Sequence, residues 1–281
     1  MTGRFGQRVR AALSAHGPLC VGIDPHQALL SSWGLSDSAD GVREFGLRTV
    51  DAAAGRVGVV KPQVSFFERF GSAGFAALEE VLAAARAADL LVIADAKRGD
   101  IGTTMDAYAA AWLTPGSPLE ADALTVNPFL GVGSLETTFT LAEDSGKGVF
   151  VLAATSNPEA VTVQRALSSD ARSVSAAIVD EVSARNARST PADEWASLGF
   201  VIGATVTWSD AGLGEFAPAA PILGPGFGAQ GAGPTDLRAR FGAHASMVVA
   251  SESRSILSAG PDALTAAIDA RAAEYREALN V

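Results

Sequence analysis

The sequence predicts a single (β/α)8 barrel over residues 1–281, and three observations support this fold class. Short apolar segments alternate with alanine-rich segments of helical character along nearly the whole chain, a pattern typical of βα units around a parallel sheet. Eight such apolar segments can be counted, and most are continuously apolar, as in strands buried on both faces. The length of 281 residues also fits, because one α/β barrel often takes about 250 residues or more.

The predicted strands follow one another at spacings that leave room for a helix between them. They span residues 19–24, 57–63, 90–97, 123–129, 148–155, 198–205, 221–226 and 247–251. Helices are predicted at 74–88, 173–188 and 261–279, and Phe5, Val9 and Leu13 indicate a short amphipathic helix before the first strand. The segment 157–172 is longer than a typical βα loop, so we expect it to carry local structure of its own.

Composition excludes several classes of protein. Hydrophobic residues make up 48% and charged residues 19% of the chain, which is typical of a soluble globular protein. A net charge of −10 argues against nucleic acid as a partner, because phosphate backbones are bound by dense Lys/Arg surfaces. Residues 216–235 are uncharged, but their four prolines and five glycines exclude a membrane helix. The single cysteine, Cys20, lies in an apolar segment and predicts a buried thiol and a cytoplasmic protein.

Polar residues collect just after the predicted strands. In a barrel these positions share the rim at the carboxyl ends of the strands, where catalytic groups converge. They are Asp24, Lys61, Asp95, Lys97, Asn127, Ser156, Gln230 and Arg254.

The motif Asp95-x-Lys97-x-x-Asp100 at the end of the third strand carries the strongest chemical signal. Strand alternation puts Asp95 and Lys97 on the same side, facing the barrel mouth, with Asp100 on the loop beyond. Such an array holds fixed charges, because carboxylates favour a charged lysine and the lysine keeps the carboxylates ionised. A structural ion pair is the alternative that this motif alone leaves open.

Three further residues near strand ends are less specific. Lys61 follows two valines, where it could serve the site or extend from the rim towards solvent. Asp24 could be a site residue or a turn former before a proline. His26 is assigned no role.

A phosphate site is indicated by two separated segments. Residues 224–233 are rich in glycine and offer backbone amides without side-chain obstruction. Arg254 follows the eighth predicted strand, where a helix N-terminus could add amide donors. The loops after strands seven and eight often bind phosphate in such barrels, and both segments fall there.

Several motifs resemble, in the same order, the actinobacterial-like branch of the orotidine 5′-phosphate decarboxylase family. They are Lys61 in Val-Lys-Pro-Gln, the Asp95-x-Lys97-x-x-Asp100-Ile motif, and the segments 126–131 (VNPFLG), 154–158 (ATSNP), 225–231 (PGFGAQG) and 253–256 (SRSI). The resemblance covers most of the chain, from Asp24 to Ile256. It implies decarboxylation of orotidine 5′-monophosphate (OMP) to uridine 5′-monophosphate (UMP) and CO2, the final step of de novo UMP biosynthesis, with no cofactor and no metal.

The resemblance also implies individual roles. Lys97 would protonate the pyrimidine carbon as CO2 leaves, and Asp95 would face the departing carboxylate. Lys61 and Asp24 would hold the ribose. The remaining implied roles are contacts of Ser156 with the base, of Gln230 and Arg254 with the phosphate, and of Asp100 and Thr104 with the neighbouring site of a homodimer. One departure from the family pattern is Gly102-Thr103 after Asp100-Ile101, where many relatives carry a proline.

Two other functions remain as alternatives. A metal-dependent sugar-phosphate aldolase or decarboxylase of the same superfamily would share the Asp-x-Lys-x-x-Asp motif, but Lys61 would repel its divalent cation. A catalytically silent phosphate-binding barrel would have no need for alternating charges at the barrel centre.

Overall fold

The computed structural model describes residues 3–280, and in it eight parallel strands close into a barrel in sequence order. The strands are β1 (Leu19–Ile23), β2 (Val59–Pro62), β3 (Leu91–Arg98), β4 (Ala123–Val126), β5 (Gly148–Ala154), β6 (Leu198–Ile202), β7 (Ile222–Pro225) and β8 (Val248–Glu252). Each overlaps one of the eight predicted segments, so the predicted barrel is confirmed.

Helices surround the strands as in other (β/α)8 barrels. They are α1 (Phe5–His16), α2 (Gln27–Ser32), α3 (Ala39–Ala53), α4 (Ser65–Glu68), α5 (Gly71–Ala87), α6 (Gly102–Leu113), α7 (Glu136–Asp144), α8 (Val161–Gln164), α9 (Val174–Ser189), α10 (Trp208–Ala211), α11 (Leu237–Phe241), α12 (Arg254–Leu257) and α13 (Leu264–Leu279). The predicted helices at 74–88, 173–188 and 261–279 correspond to α5, α9 and α13. No helix among residues 3–280 is long and apolar enough to cross a membrane.

Helix α1 lies at the amino ends of the strands and fills that end of the barrel interior. The spacing of Phe5, Val9 and Leu13 predicted an amphipathic helix, and these residues are buried on one face of α1. They pack in one apolar cluster with inward-facing residues of the strands. The Phe5 ring meets Phe150 edge-on at 5.9 Å between centroids. A Cβ atom on Gly148 would lie 2.0 Å from the Phe5 ring, so this strand position has room only for glycine. Helix α1 therefore closes the interior of the barrel at this end.

Cys20 belongs to the same interior cluster and is fully buried. Burial raises the pKa of its thiol to about 12. The thiol is a small apolar filler here, as the sequence predicted.

The wall between β6 and β7 lacks a long helix, and α10 is only four residues long. Aromatic rings seal this wall instead. His244 is 6% exposed and lies between Trp208 and Phe216, with ring centroids at 5.0 and 4.4 Å and nearly parallel planes.

A buried charge network joins α1 to the base of the barrel. Asp122 is 4% exposed and accepts a hydrogen bond from the Val92 amide at 2.9 Å. It also pairs with Arg8 of α1. The ammonium of Lys147 lies 2.6 Å from Glu120 and 3.9 Å from Asp122. The network thus neutralises charges that would otherwise be buried alone.

We expect Asp122→Ala to destabilise the protein by about 3–5 kcal/mol, because it leaves the largely buried Arg8 guanidinium without its carboxylate and the Val92 amide without its acceptor. Urea unfolding followed by circular dichroism measures the change. The matched control is Asp51→Ala, at an exposed position of α3, where about 0.5 kcal/mol or less is expected. Equal stability of the two variants would show that the network contributes nothing.

Candidate active site

A cavity of about 400 Å³ opens at the carboxyl ends of the strands. Seven of the nine predicted site residues line it. They are Asp24, Lys61, Asp95, Lys97, Ser156, Gln230 and Arg254. These seven residues therefore meet at one rim, as their positions just after the strands predicted.

Asp95 is the centre of the charged part of this cavity. The carboxylate is 7% exposed and binds two ammonium groups, Lys97 through Oδ1 at 2.6 Å and Lys61 through Oδ2 at 3.1 Å. Each carboxylate oxygen therefore has its own cation. Lys61 is 6% exposed, so it does not extend from the rim into solvent.

The charges stabilise one another against the cost of burial. Burial alone would lower the pKa of Lys61, but the carboxylates of Asp95 and Asp24 outweigh it and raise that pKa above its ordinary value. Burial alone would raise the pKa of Asp95, but Lys61 and Lys97 outweigh it and hold that pKa well below its usual range. The buried pair therefore stays charged at neutral pH.

The backbone around Lys97 is irregular, which the sequence did not predict. The register between β3 and β4 shifts between Ala94 and Arg98, and Lys97 has a φ of 49°. A non-glycine residue with positive φ is uncommon. Asp95 and Lys97 do lie on the same side, as predicted, but through a bulge rather than regular alternation.

Thr125 of β4 holds this irregular segment and is the main site residue that the sequence did not reveal. Its hydroxyl donates to Asp95 Oδ1 at 2.9 Å and accepts from the Lys97 backbone amide at 2.9 Å. It is buried, at 1% exposed. A threonine within the otherwise apolar Ala-Leu-Thr-Val strand was the available signal.

Gln63, directly after β2, is a second residue that the sequence did not single out. Its amide nitrogen donates to the Asp95 carbonyl at 3.1 Å, and its amide oxygen lies 3.5 Å from Lys97 Nζ. Lys97 is the more accessible of the two lysines, with 45% of its side chain exposed. Its ammonium therefore reaches the cavity while its position is fixed by Asp95.

Asp24 follows β1 and lines the same cavity. Its Oδ1 atom is shielded from solvent and has no hydrogen-bond partner within residues 3–280. A carboxylate oxygen that is shielded from water and lacks a hydrogen-bond donor destabilises the free protein. A ligand hydroxyl in the cavity can donate the missing hydrogen bond to Asp24.

The glycine-rich loop and Arg254 approach each other on the other side of the cavity. The loop closes through Gly228 N–H to Ala232 O at 2.7 Å and Gly231 N–H to Gly228 O at 3.0 Å. Gly228 has a φ of 71°, and a Cβ there would lie 2.2 Å from Ser255 Oγ. Only glycine lets the loop pass this close to the segment after β8, which brings Gln230 and Arg254 to one wall.

The segment 157–172 carries the local structure expected of it. It contains a 3-10 turn (Pro158–Ala160) and α8, and Leu167 pairs with Ser173. Gln164 of α8 accepts from the Thr155 amide at 2.8 Å and donates to the Thr155 hydroxyl at 2.9 Å. The segment is thus tied to the end of β5, next to Ser156.

Asp100 and Thr104 are the two predicted site residues that do not line the cavity. Asp100 accepts from the Ile101 amide at 2.8 Å, and Thr104 is exposed in the first turn of α6. Within one chain, the structure does not bring them to the other seven.

A metal ion has few ligands available in this cavity. Residues 3–280 contain no group of three or more His, Cys, Asp or Glu side chains arranged to hold one. The Asp95 carboxylate, which a cation would need, already binds two ammonium groups.

Fold and site together define a (β/α)8-barrel protein with a charged Asp–Lys centre at the carboxyl ends of its strands. Comparison with known proteins identifies its family. The family model for "Orotidine 5′-phosphate decarboxylase / HUMPS family" matches residues 17–268. The chain therefore belongs to this family, which confirms the resemblance seen in its motifs.

Individual relatives agree with the family model over nearly the full length. The orotidine 5′-phosphate decarboxylases of Salinispora arenicola and Streptomyces coelicolor are each 50% identical over 277 residues, which is 98% of both chains in each comparison. A crystal structure from Streptomyces avermitilis has a TM-score of 0.93 at 49% identity and covers 100% of this chain and 97% of its own. Leishmania donovani OMP decarboxylase has a TM-score of 0.77 at 27% identity, covering 99% of both chains.

Proposed function

We propose that this protein is a decarboxylase that converts OMP to UMP and CO2. The observation that carries the proposal is the Asp95 carboxylate between two lysine ammonium groups, one of which, Lys97, reaches the cavity. Full-length relatives at 50% identity bear the name of this enzyme. The reaction is the final step of UMP biosynthesis.

Lys97 is the proton donor in the proposed mechanism. When the bond to the carboxylate breaks, its electron pair stays on the pyrimidine carbon and CO2 departs. An ammonium already held beside that carbon stabilises the developing negative charge and then donates its proton there. Asp95 fixes the Lys97 ammonium at 2.6 Å and faces the departing carboxylate.

The other cavity residues bind the parts of the substrate that do not react. Asp24, with its unpartnered Oδ1, and Lys61 hold the ribose. Ser156 contacts the base, and Gln230 and Arg254 bind the phosphate. Binding energy from the phosphate can then align the reacting groups.

We also propose a homodimer in which Asp100 and Thr104 complete the partner's site. Both lie outside the cavity of their own chain, and large apolar side chains are exposed around them. Ile101 is 61% exposed and Phe129 77% exposed, which is typical of a surface that contacts another protein. A Cβ on Gly99 would lie 2.5 Å from the Asn127 carbonyl, so the loops that carry these two side chains are in contact.

The proposal places the protein in the cytoplasm, with no cofactor, metal or nucleic-acid partner. Its net charge of −10 supports the absence of nucleic acid. The family description also names HUMPS. The main rival to the proposed function is that of a metal-dependent sugar-phosphate aldolase or decarboxylase. Lys61 Nζ lies 3.1 Å from Asp95 Oδ2, so a divalent cation at Asp95 would meet a buried ammonium.

We expect the purified protein to consume OMP at an undiminished rate in excess EDTA, because its proposed chemistry uses only lysine and carboxylate groups. The ultraviolet change on conversion of OMP measures the rate. Loss of turnover in EDTA that magnesium restores would favour the metal-dependent rival. No turnover under any condition, with binding intact, would favour a silent phosphate-binding barrel.

Lys97→Ala is the matched negative control for this assay. It should abolish turnover and leave UMP binding largely intact, since the lysine acts mainly in the transition state. Retention of a tenth of the wild-type kcat would remove Lys97 from the role of proton donor.

The shared sites can be tested by mixing two inactive variants. Lys97→Ala and Asp100→Asn subunits should regain activity together, because one site of each mixed dimer then carries neither change. Random exchange makes about half of the dimers mixed, so roughly a quarter of wild-type activity should return. Native mass spectrometry verifies exchange, and steady-state kinetics measures the activity.

The control mixture contains Lys97→Ala and Asp95→Asn. Both residues act in the site of their own chain, so every site of a mixed dimer carries one change and no activity should return. Absence of recovery in the Asp100 mixture, despite verified mixed dimers, would show that Asp100 serves its own chain.

A further inference from the structure

His26 lines the cavity but has no part in the mechanism described above. It follows Asp24 and Pro25 at the end of β1. Its Nε2 atom is shielded from solvent and has no hydrogen-bond partner within residues 3–280. An imidazole nitrogen that is shielded from water and lacks a hydrogen-bond partner destabilises the free protein. A ligand that supplies this partner would gain binding free energy.

Charged groups of both signs surround the ring. Asp24, which follows β1, and Arg254, the first residue of α12, act on it. Lys61, Asp95 and Lys97 line the same cavity. The ring of Phe66, the second residue of α4, packs against the His26 imidazole, with 6.2 Å between the two ring centroids. His26 thus interacts with one residue proposed to bind the ribose, Asp24, and with one proposed to bind the phosphate, Arg254.

The charge state of His26 depends on what occupies the site. Burial, and then the positive charge of Arg254, lower the pKa of His26, while Asp24 opposes them. The imidazole is therefore neutral at pH 7 in the free protein. A phosphate dianion at Arg254 would offset the guanidinium charge and favour a protonated imidazole.

We propose that His26 is a phosphate-binding residue that hydrogen-bonds the 5′-phosphate of the nucleotide beside Arg254 and takes up a proton from solvent as the anion binds. This proposal rests on the proposed function and adds a residue to its binding site. The contact serves the bound ground state and the transition state alike, so it acts on KM rather than kcat.

The sign of the pH effect follows from linkage. The pKa of His26 is higher in the complex than in the free protein. Its contribution to affinity is therefore complete below the free-state pKa and is lost as the pH rises through the bound-state pKa. The phosphate itself titrates with a pKa of about 6, so the comparison is between wild type and a His26 variant at each pH.

Nuclear magnetic resonance on the intact protein tests the contact directly. The chain has only three histidines, and His26→Gln identifies the His26 signal. We expect the pKa of His26 to rise with saturating UMP and with inorganic phosphate, and to stay unchanged with uridine. An equal rise with uridine would assign His26 to the ribose, and no rise with bound UMP would overturn the proposal.

Kinetics supply the second test. His26→Gln should raise KM for OMP about tenfold, as for loss of one charge-assisted hydrogen bond, with kcat nearly unchanged and the extra pH dependence of KM removed. His16→Gln, at the end of α1 on the opposite face, is the matched control and should match wild type. A KM within twofold of wild type for His26→Gln would contradict the proposal.

The two hypotheses fail in different ways. If OMP is not consumed while UMP and phosphate still raise the pKa of His26, the decarboxylase function fails and the phosphate contact remains. If OMP is consumed and the pKa does not respond, only the role of His26 is lost. Absence of UMP binding in calorimetry would overturn both.

Discussion

The site depends on one interaction, the clamp of the buried Asp95 carboxylate between Lys61 and Lys97. A carboxylate that is 7% exposed would be driven towards its neutral form by burial alone. Two ammonium groups, at 2.6 and 3.1 Å, reverse that tendency. In return, the carboxylate fixes both ammonium groups, so Lys97 presents a positioned proton to the cavity. Preorganised charge of this kind needs no rearrangement at the moment of reaction.

The two ends of the barrel differ in structure: the amino ends of the strands are covered by α1, and the carboxyl ends carry the charged cavity. At the base, α1 fills the interior with Phe5, and the Arg8–Asp122 pair fastens that helix to the strands. The cavity with the charged centre lies at the carboxyl ends, where the loops after the strands are free to differ. The loop at Gly228 shows the constraint there, because a Cβ would collide with Ser255. Phe5 and Arg8, which close the base, are thus distinct from the charged residues that line the cavity.

The strands were predictable from sequence because parallel strands buried on both faces are continuously apolar. The positions of polar residues just after the strands also predicted that eight of them would share one rim, and seven of the eight line the cavity. The bulge at Lys97, where φ is 49°, could not be predicted from the sequence, because the expected alternation of side chains assumes a regular strand. The hydrogen bond from Thr125 to Asp95 could not be predicted either, because a contact between two strands depends on the register in which they pair. Asp100 and Thr104 do not line the cavity of their own chain, so their proposed role depends on a partner subunit.

The central claim is that Asp95 remains ionised between two lysines, and carbon-13 resonance of its carboxyl group tests it most directly. Aspartate-labelled protein is titrated downwards from pH 7, and Asp95→Asn identifies the signal. We predict that the carboxyl carbon keeps the chemical shift of a carboxylate through pH 4, near the ordinary pKa of about 3.9, for as long as the protein stays folded. Protonation at or above that pH would mean that the lysines do not hold the charge, and the proposed mechanism would lose its fixed ammonium.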